Sequence, residues 1–207
     1  MESSREKYDY AFTGAALKFY DFMRLVRHIE EEQLYDQLEK IDYNVVMKRE
    51  NKRTNRREFQ EMIKRYKKLT AAQQQLLLEI DAAGQRQLAF LGACKAHPFI
   101  RDFMIEIVRE KFLTLDFELT DGDYNSFINR KIDTHPELES FSTASAKKAR
   151  QVVWRILEEG GMINNTKERR ILPQFLNHKI KRSIYEDHPD LFKIFLMPDY
   201  ELNNLVV

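Results

Sequence analysis

Apolar residues recur at intervals of three and four along most of this 207-residue chain, while glycine and proline are scarce. Only six Gly and five Pro occur. An amphipathic helix needs an apolar side chain about every 3.6 residues, so this spacing indicates helices. With 43% hydrophobic and 12% aromatic residues, the chain has enough apolar side chain to fill a core. We therefore predict an all-α, mainly helical protein.

Positive charge is concentrated in two short segments, although the formal net charge of the whole chain is only +1. Residues 48–68, the first basic segment, carry 10 basic and 3 acidic side chains. Residues 142–170, the second basic segment, carry 7 basic and 3 acidic side chains. A polyanion responds to the local field within about 10 Å at ordinary salt. The two segments are therefore candidate contact sites for nucleic acid.

The stretch FSTASAKKARQVVWRILEEGGMINNTKERRIL, residues 141–172, begins with a predicted amphipathic helix. Ser142 or Thr143 can cap its N-terminus, and Gly160 and Gly161 end it. An apolar stripe with spacing i, i+3, i+4 and i+7 consists of Ala149, Val152, Val153 and Ile156. At about 100° per residue, the opposite side carries Lys147, Lys148, Gln151 and Arg155, with Arg150 and Trp154 at its edges. The pattern predicts one face in the core and one basic face in solvent.

The segment MINNTKERRIL, residues 162–172, alternates weakly around an Asn-Asn pair, which predicts a small β-hairpin. The basic residues at or near its tip are Lys167, Arg169 and Arg170. A short helix, a turn, a basic helix and a basic hairpin follow the order of a winged helix-turn-helix, whose recognition helix enters the major groove. We expect a helical body over residues 1–140 and a winged-helix-like module with C-terminal helices over residues 141–207. Trp154 is expected to pack beneath the hairpin or against the other helices rather than stack on a base.

The first basic segment opens with KRENKRTNRR, residues 48–57, which contains no apolar residue. Its candidate DNA-binding residues are Lys48, Arg49, Lys52, Arg53, Arg56 and Arg57. The helix that follows has an apolar stripe at helical spacing: Phe59, Met62, Ile63, Tyr66 and Leu69. A basic run of this kind is in general a solvated face, or it docks on an acidic surface, so both alternatives stay open.

Metal-dependent nuclease chemistry would need clustered carboxylates around a phosphate. Asp121 and Asp123 are the nearest candidates, with Asp116 and Glu118 just before them. An Asp-Gly-Asp sequence at a helix start is more often a capping turn. The five histidines are scattered without paired cysteines, and no glycine spacing matches a phosphate-binding loop. We therefore expect no metal, no cofactor and no enzymatic activity.

Membrane insertion and secretion are not expected from the sequence. The longest apolar runs, such as residues 88–94, are far shorter than the roughly 20 residues that span a bilayer. The first residues, MESSREKYDY, lack the apolar core of a signal peptide, and the lone Cys94 gives no disulfide framework. A cytoplasmic protein is the expectation, with Cys94 as a buried thiol in an apolar helix.

Several longer motifs resemble one known family. They are REKFL, LTDGDYNSF, HPEL, and the residues ST followed by KARQVVWRILEEGGMI. The likeness extends back through RTNRREFQEMIKRYKKL and forward to ILPQFLNHKI, so it covers about residues 49–180. In these motifs the sequence resembles the BrxA family of bacteriophage exclusion (BREX) defence systems.

The resemblance implies a bacterial, non-enzymatic, helical component of a multi-gene antiviral system that stops phage propagation while a partner methyltransferase marks host DNA. Members look like DNA-binding proteins, so duplex DNA and other BREX components are the implied partners. Family descriptions also use an inner-membrane label, from which this sequence departs. Binding is expected through Lys and Arg contacts to phosphate, with weak sequence specificity because Gln151 is the main base-reading candidate. A protein adaptor is the alternative, a nuclease the less favoured one, and the oligomeric state stays open.

Overall fold

A computed structural model describes residues 6–47 and 52–204 of the chain, with only the backbone of Lys52. The structure is 70% helical, and no β-sheet is found among those residues. The α-helices of the described part are α1 (Phe19–Glu31), α2 (Tyr43–Met47), α3 (Lys52–Lys68), α4 (Ala71–Glu79), α5 (Ala82–Ala96), α6 (Pro98–Phe103), α7 (Arg109–Leu113), α8 (Asp121–Ile132), α9 (Thr143–Glu159), α10 (His178–Asp187) and α11 (Asp199–Leu202). The prediction of a mainly helical protein is confirmed.

Shorter helical turns connect these elements. The 3-10 helices are Ala11–Gly14, Leu38–Lys40, Pro136–Ser140 and Pro189–Phe195. A single π-helical turn, Met104–Val108, joins α6 to α7, so helical backbone runs without interruption from Pro98 to Leu113. Pro98 lies in the first turn of α6, where its missing N–H has no helical acceptor to lose.

Within the described residues, side-chain caps set the start of five α-helices. In each case the cap side chain accepts a hydrogen bond from the backbone N–H of the third helical residue, and the caps are Thr70, Asp81, Thr120, Ser142 and Asn177. Of Ser142 and Thr143, the two caps that the sequence left open for α9, Ser142 caps the helix, and Thr120 caps α8. Each such cap stabilises a helix by about 1 kcal/mol. The local sequence therefore fixes where the basic helix α9 begins.

Aromatic rings on α6, α8 and α9 meet in the hydrophobic core. The ring centroid of Phe103 lies 5.3 Å from that of Phe127 and 5.6 Å from that of Trp154, and both contacts are edge-to-face. Such pairs contribute about 0.5–1.5 kcal/mol beyond the burial of their area. The cluster of buried residues includes side chains from both sides of residue 141. The division of the chain at residue 141 stays a prediction.

The fully buried side chain of Arg65 on α3 ties down the N-terminal segment. Its guanidinium donates to the carbonyl oxygens of Ala15 and Ala16 at 2.7 Å each, and to that of Leu17 at 3.4 Å. These three carbonyls precede α1 and would otherwise be buried without donors. Glu61, one turn earlier on α3, lies 3.9 Å from the guanidinium. The buried charge is therefore both hydrogen-bonded and paired.

Glu61 also links α3 to the start of α6 and to the N-terminal segment. Its carboxylate lies 2.9 Å from Nε2 of the buried His97, and Nδ1 of His97 lies 3.7 Å from Asp9. Burial by itself would raise the pKa of Glu61, but the hydrogen bond and charge of His97 outweigh it, so the pKa is lowered. Asp9, Glu61, His97 and Arg65 thus form one polar chain through the packed helices.

The structure does not confirm the expected β-hairpin. No strand forms among the described residues, but Ile163 and Ile171 form an isolated antiparallel bridge, and Glu118 and Arg170 form another. Two backbone hydrogen bonds close residues 164–170, from Asn164 N–H to Arg170 O and from Arg169 N–H to Asn165 O, both at 3.0 Å, and side chains add to them. Asn165 Oδ1 accepts from the N–H groups of Lys167 and Glu168, which favours a turn over continued strand pairing. Residues 164–170 thus form a tight loop, and the segments on either side of it meet at the isolated bridge between Ile163 and Ile171.

Replacing Arg65 with Met should destabilise the fold strongly. The substitution leaves three buried carbonyls without their donor and the Glu61 carboxylate without its cation, so we expect a loss of about 3–5 kcal/mol in the free energy of unfolding. Urea denaturation followed by circular dichroism measures this loss. The matched control is Arg56→Met on the exposed side of the same helix, which should change stability by less than about 0.5 kcal/mol. Equal effects of the two substitutions would contradict the assigned role of Arg65.

Candidate nucleic-acid interface

Four long polar side chains project from one side of α9 into solvent: Lys147, Lys148, Gln151 and Arg155. At about 100° and 1.5 Å per residue, they form one stripe roughly 12 Å long. Among the residues that the structure describes, no carboxylate forms an ion pair with any of these three cations. The predicted outward face of the helix is therefore exposed, and its cations have no ion-pair partner among the described residues, although the charge of Arg155 interacts with the Glu159 carboxylate.

The opposite side of α9 packs into the core. Ala149, Val153 and Ile156 are buried, as the spacing predicts, whereas Val152 is only half-buried. Trp154 and Leu157 widen the buried face beyond the predicted stripe. A helix with so wide an apolar face cannot rotate without exposing it, so the basic stripe is held toward solvent.

Asp121, in the first turn of α8, forms ion pairs with two of the predicted DNA-binding residues, Arg150 and Arg169. Its Oδ1 lies 2.6 Å from Nη1 of Arg169, and its Oδ2 lies 3.4 Å from Nη1 of Arg150. The carboxylate thus bridges the basic helix and the loop that follows it. Because both guanidinium groups are paired, they offer less free charge to a phosphate than the lysines of the exposed stripe.

Trp154 packs under the loop, as the sequence analysis predicts. Only 4% of the residue is exposed, and the guanidinium carbon of Arg169 lies 4.8 Å from the centroid of its ring. A cation over an indole face at this distance is an attractive contact. Since Arg169 lies over the face of the indole, stacking on a base would require the loop to move.

The loop of residues 164–170 presents its basic side chains on a rigid frame. Asn164 Oδ1 accepts from the N–H of Arg170, and Arg169 adopts a left-handed backbone conformation with φ 54°. Lys167 and Arg170 point outward and are exposed, whereas Arg169 turns inward to Asp121 and Trp154. Of the three predicted basic residues, Lys167 and Arg170 reach solvent.

Arg170 lies in acidic surroundings. Together with Asp116, Glu118 and Glu168 it lines a surface cavity of about 450 Å³. Like charges of the carboxylates repel a phosphate and reduce the attraction of the single guanidinium. Lys167 is therefore the stronger candidate of the two exposed loop cations.

The first basic segment is described in part. Arg53, Arg56 and Arg57 are exposed on the first turns of α3. The predicted contacts Lys48 and Arg49 lie outside the described residues, as does the side chain of Lys52. The 3-10 helix Ala11–Gly14 contacts both α3 and α9, and Arg57 lies against its Gly14. The helices α3 and α9, which carry described cations of the two basic segments, therefore share a neighbour.

The carboxylates that a nuclease would need are engaged in capping and ion pairs. Asp123 accepts from the N–H and hydroxyl of Thr120 at 2.7 Å and 2.8 Å. Lys111 lies 3.4 Å from Asp123, and its hydrogen bond to Asp116 holds the pKa of that carboxyl below its ordinary value. Within the described part, no group of three His, Cys, Asp or Glu side chains is arranged to hold a metal ion.

Cys94 is fully buried in α5, as expected. Burial raises the pKa of its thiol far above the ordinary value. A protonated, inaccessible thiol is a poor nucleophile. The residue is part of the packing rather than a reactive site.

Sequence reasoning missed the role of Asp121 as the partner of Arg150 and Arg169. Arg150 and Arg169 lie 29 and 48 positions after Asp121, and no periodic signal connects residues so far apart. It also missed Arg65, which carries the same charge as its exposed neighbours on α3 but is fully buried. The position of Arg65 between Met62 and Tyr66 on the apolar side of the helix was the available signal.

The fold and the exposed cations define a class: a mainly helical protein with a capped basic helix and a basic loop on its surface. The chain belongs to the BrxA family, because the model of that family matches residues 6–188. It is 26% identical over 101 residues to the BREX protein BrxA of Escherichia coli O9:H4 (strain HS), a match that covers 49% of this chain and 47% of the relative. It is 30% identical over 90 residues to the BREX protein BrxA of Bacillus cereus (strain H3081.97), which covers 44% of this chain and 45% of the relative. Each match thus spans less than half of the curated relative.

The fold is similar to a solved structure, the crystal structure of an uncharacterized protein from Magnetospirillum magneticum. The TM-score is 0.74 at 17% sequence identity, and the match covers 93% of this chain and 99% of the other. At this identity the likeness concerns the fold alone. Separately, none of the helices in the described part of the chain is both long enough and apolar enough to cross a bilayer.

Replacing Asp121 with Asn should loosen the loop over Trp154. The side chain of Asp121 is 46% exposed, so we expect a loss of only about 0.5–1 kcal/mol, equivalent to a melting temperature lower by roughly 1–4 °C. Acrylamide quenching of Trp154, the only tryptophan of the chain, should increase because Arg169 no longer covers the ring. Asp133→Asn, an exposed change near the end of α8, is the control. Unaltered quenching in the Asp121 variant would show that the ion pair does not hold the loop.

Proposed function

We propose that this chain is a non-enzymatic, DNA-binding component of a BREX-type anti-phage defence system. Membership of the BrxA family supports the defence role, since the curated relatives are named BREX proteins. The observation that carries DNA binding is the unpaired basic stripe of α9, with Lys167 on the loop after it. Cations fixed on a helix neutralise phosphates and release their counterions, which drives binding to duplex DNA.

The dimensions of α9 support major-groove contact. A helix with its side chains is about 10–12 Å across, and the major groove is about 12 Å wide. The stripe offers three cations and one amide, and Gln151 is the side chain suited to reading an adenine edge. With one such reader, binding is weakly sequence-specific and dominated by phosphate contacts.

The order of elements around α9 supports a winged-helix arrangement. The helical stretch of α6 and α7 is followed by the bridge residue Glu118, then α8, α9 and the two segments around Ile163 and Ile171. The backbone near Ile171 is bonded on both sides: Ile171 N–H donates to Phe117 O at 2.7 Å, and Leu172 N–H donates to Met162 O at 2.9 Å. A winged helix has three strands, and the third strand likewise lies between the first and the second. In that arrangement α9 occupies the position of the recognition helix.

The non-enzymatic part of the proposal rests on the engaged carboxylates. Asp121 and Asp123 are the best nuclease candidates. The carboxylate of Asp121 pairs with Arg150 and Arg169, and that of Asp123 accepts hydrogen bonds from Thr120. A metal would have to displace these partners. We therefore assign the two residues to the framework of the site. The cytoplasm, where host and phage DNA meet, is the proposed location of DNA binding.

A protein adaptor is the second candidate function, and an exposed aromatic residue favours it. Phe175, in the segment before α10, is 83% exposed, and its carbonyl accepts from Gln87 on α5. Large exposed aromatics mark protein contacts more often than DNA backbone contacts. Co-purification with other BREX components without any binding of DNA would support this function over the first.

Salt dependence tests the DNA-binding proposal. We expect log K for DNA to fall against log salt with a slope of about −4 if each of Lys147, Lys148, Arg155 and Lys167 neutralises one phosphate. The slope should be steeper if the first basic segment also contacts DNA. Replacing Lys147, Lys148 and Arg155 with Gln should reduce the slope to about −1 and weaken binding at low salt by more than about tenfold. Fluorescence anisotropy with a labelled duplex measures both quantities.

The control for that experiment is a second triple variant with the same change of charge. Lys40, Lys179 and Arg27 are exposed on other elements, and their replacement with Gln should alter the slope little. Both variants should keep the wild-type melting temperature, since none of the six side chains is buried. Equal losses in the two variants would show that DNA responds to net charge and not to α9.

A further inference from the structure

A cavity of about 360 Å³ lies at the C-terminal end of α9, where that helix meets the start of α1. Its wall consists of Lys18, Phe19, Tyr20, Asp21, Arg86 and Glu159. Glu159 is the last residue of α9 and lies four positions after Arg155, so the cavity begins one helical turn beyond the basic stripe. The proposed DNA-binding surface therefore continues into a concave site.

Arg86, on α5, brings a positive charge without a counter-charge to this cavity. Its Nε atom is buried and has no hydrogen-bond partner. No carboxylate of the described residues lies within ion-pair distance of its guanidinium, which lies over the ring of Phe19, 5.1 Å from the ring centroid. The other cation of the wall, Lys18, lies 3.4 Å from Glu58. A buried donor on a charged group is costly to leave unpaired, so the Arg86 guanidinium points to an anionic ligand.

The two carboxylates of the wall have partners within the protein. Glu159 accepts a hydrogen bond of 2.6 Å from the backbone N–H of Lys18, and burial raises the pKa of its carboxyl. Asp21 lies 3.2 Å from Arg24 on the next turn of α1. These contacts reduce the repulsion that the carboxylates would exert on an anion. The guanidinium of Arg86 is therefore available to bind one.

Tyr20 adds an accessible aromatic ring to the same wall. The residue is 76% exposed, although it lies in the first turn of α1 beside the buried Phe19. The two rings meet edge to face with their centroids 5.4 Å apart. A nucleobase of any identity can stack on an exposed ring of this kind, because every base has a π-face. The cavity thus combines an unpaired cation with a stacking surface.

We propose that this cavity binds a single nucleotide, with its phosphate on Arg86 and its base against Tyr20. A guanidinium can donate two parallel hydrogen bonds to one phosphate. The cavity volume lies near the lower end of the range of small-molecule sites, about 300–1,000 Å³, which suits one small ligand. Two sources carry this chemistry: a free mononucleotide, and an unpaired nucleotide at the end of a DNA strand that lies along α9. The second source rests on the proposed function.

Calorimetric titration of the full chain tests the first source. The probe is deoxyadenosine monophosphate, and the comparison ligands are deoxyadenosine and inorganic phosphate, each of which lacks one half of the probe. We expect saturable binding of the mononucleotide, at least about tenfold tighter than that of either comparison ligand, because each of them can form only one of the two contacts.

Fluorescence anisotropy tests the second source with labelled duplexes of one sequence. One duplex is blunt, and the others carry a single unpaired nucleotide at the 5′ or the 3′ end. An overhang that enters the cavity should strengthen binding by about fivefold or more, the effect of stacking one base. Such a preference assigns the cavity to a strand end, and binding of the mononucleotide assigns it to a free nucleotide. If the mononucleotide does not bind and all duplexes bind equally, the proposal is wrong.

Substitutions localise the nucleotide. Tyr20→Ala and Arg86→Gln should each weaken its binding by about fivefold or more. The matched controls are exposed residues outside the cavity, Tyr200→Ala on α11 and Arg182→Gln on α10, and both should stay within about twofold of the unmodified protein. Because Tyr20 is so exposed, its replacement should keep the wild-type melting temperature, which separates loss of binding from unfolding. Full affinity in the Tyr20 and Arg86 variants would overturn the proposal.

Failure of the nucleotide site and failure of DNA binding by α9 give different results. Blunt duplex contacts the stripe of α9 and leaves the cavity empty, so its affinity should be unchanged in the Tyr20→Ala variant. Binding of the mononucleotide without any binding of DNA would contradict the proposed function alone. Binding of blunt duplex, with no preference for an overhang and no binding of the mononucleotide, would contradict the nucleotide site alone.

Discussion

The carboxylate of Asp121 holds three parts of the chain in one arrangement: the first turn of α8, the middle of α9 and the loop of residues 164–170. Its two oxygens pair with Arg150 and Arg169, and Arg169 in turn covers Trp154. Two of the seven cations in the second basic segment are thereby used within the protein. The orientation of the loop relative to α9, and so the position of Lys167, depends on this contact.

Positive charge in this protein therefore has two separate uses. Inside, Arg65 binds the carbonyls that precede α1, and Arg150 and Arg169 fix the loop. Outside, the stripe of α9 stays unpaired because the apolar face of the helix is held in the core. A cavity beside α4, lined by three carboxylates, adds a third electrostatic feature of opposite sign. A small chain with little net charge thus presents surfaces of opposite charge.

Much of the fold was readable from the sequence, because helical spacing and caps are local signals. The boundaries of α9 followed from Ser142 and the glycine pair, and the burial of Ala149, Val153 and Ile156 followed from their spacing. The hairpin prediction was not confirmed, because the bridge between Ile163 and Ile171 does not extend into strands, and the Asn165 side chain accepts from the N–H groups of Lys167 and Glu168 within the loop. The sequence could not predict which cations form ion pairs, because pairs between residues tens of positions apart depend on tertiary packing.

Binding of DNA by α9 and the loop after it is tested most directly by a lysine-reactivity footprint of the unmodified protein with and without duplex DNA. Mass spectrometry after brief acetylation reports the protection of each lysine. DNA should protect Lys147, Lys148 and Lys167, and leave Lys40 and Lys179 as reactive as in the free protein. Protection confined to other lysines, or equal reactivity everywhere in the presence of bound DNA, would contradict the assignment of α9 and its loop as the DNA-binding surface.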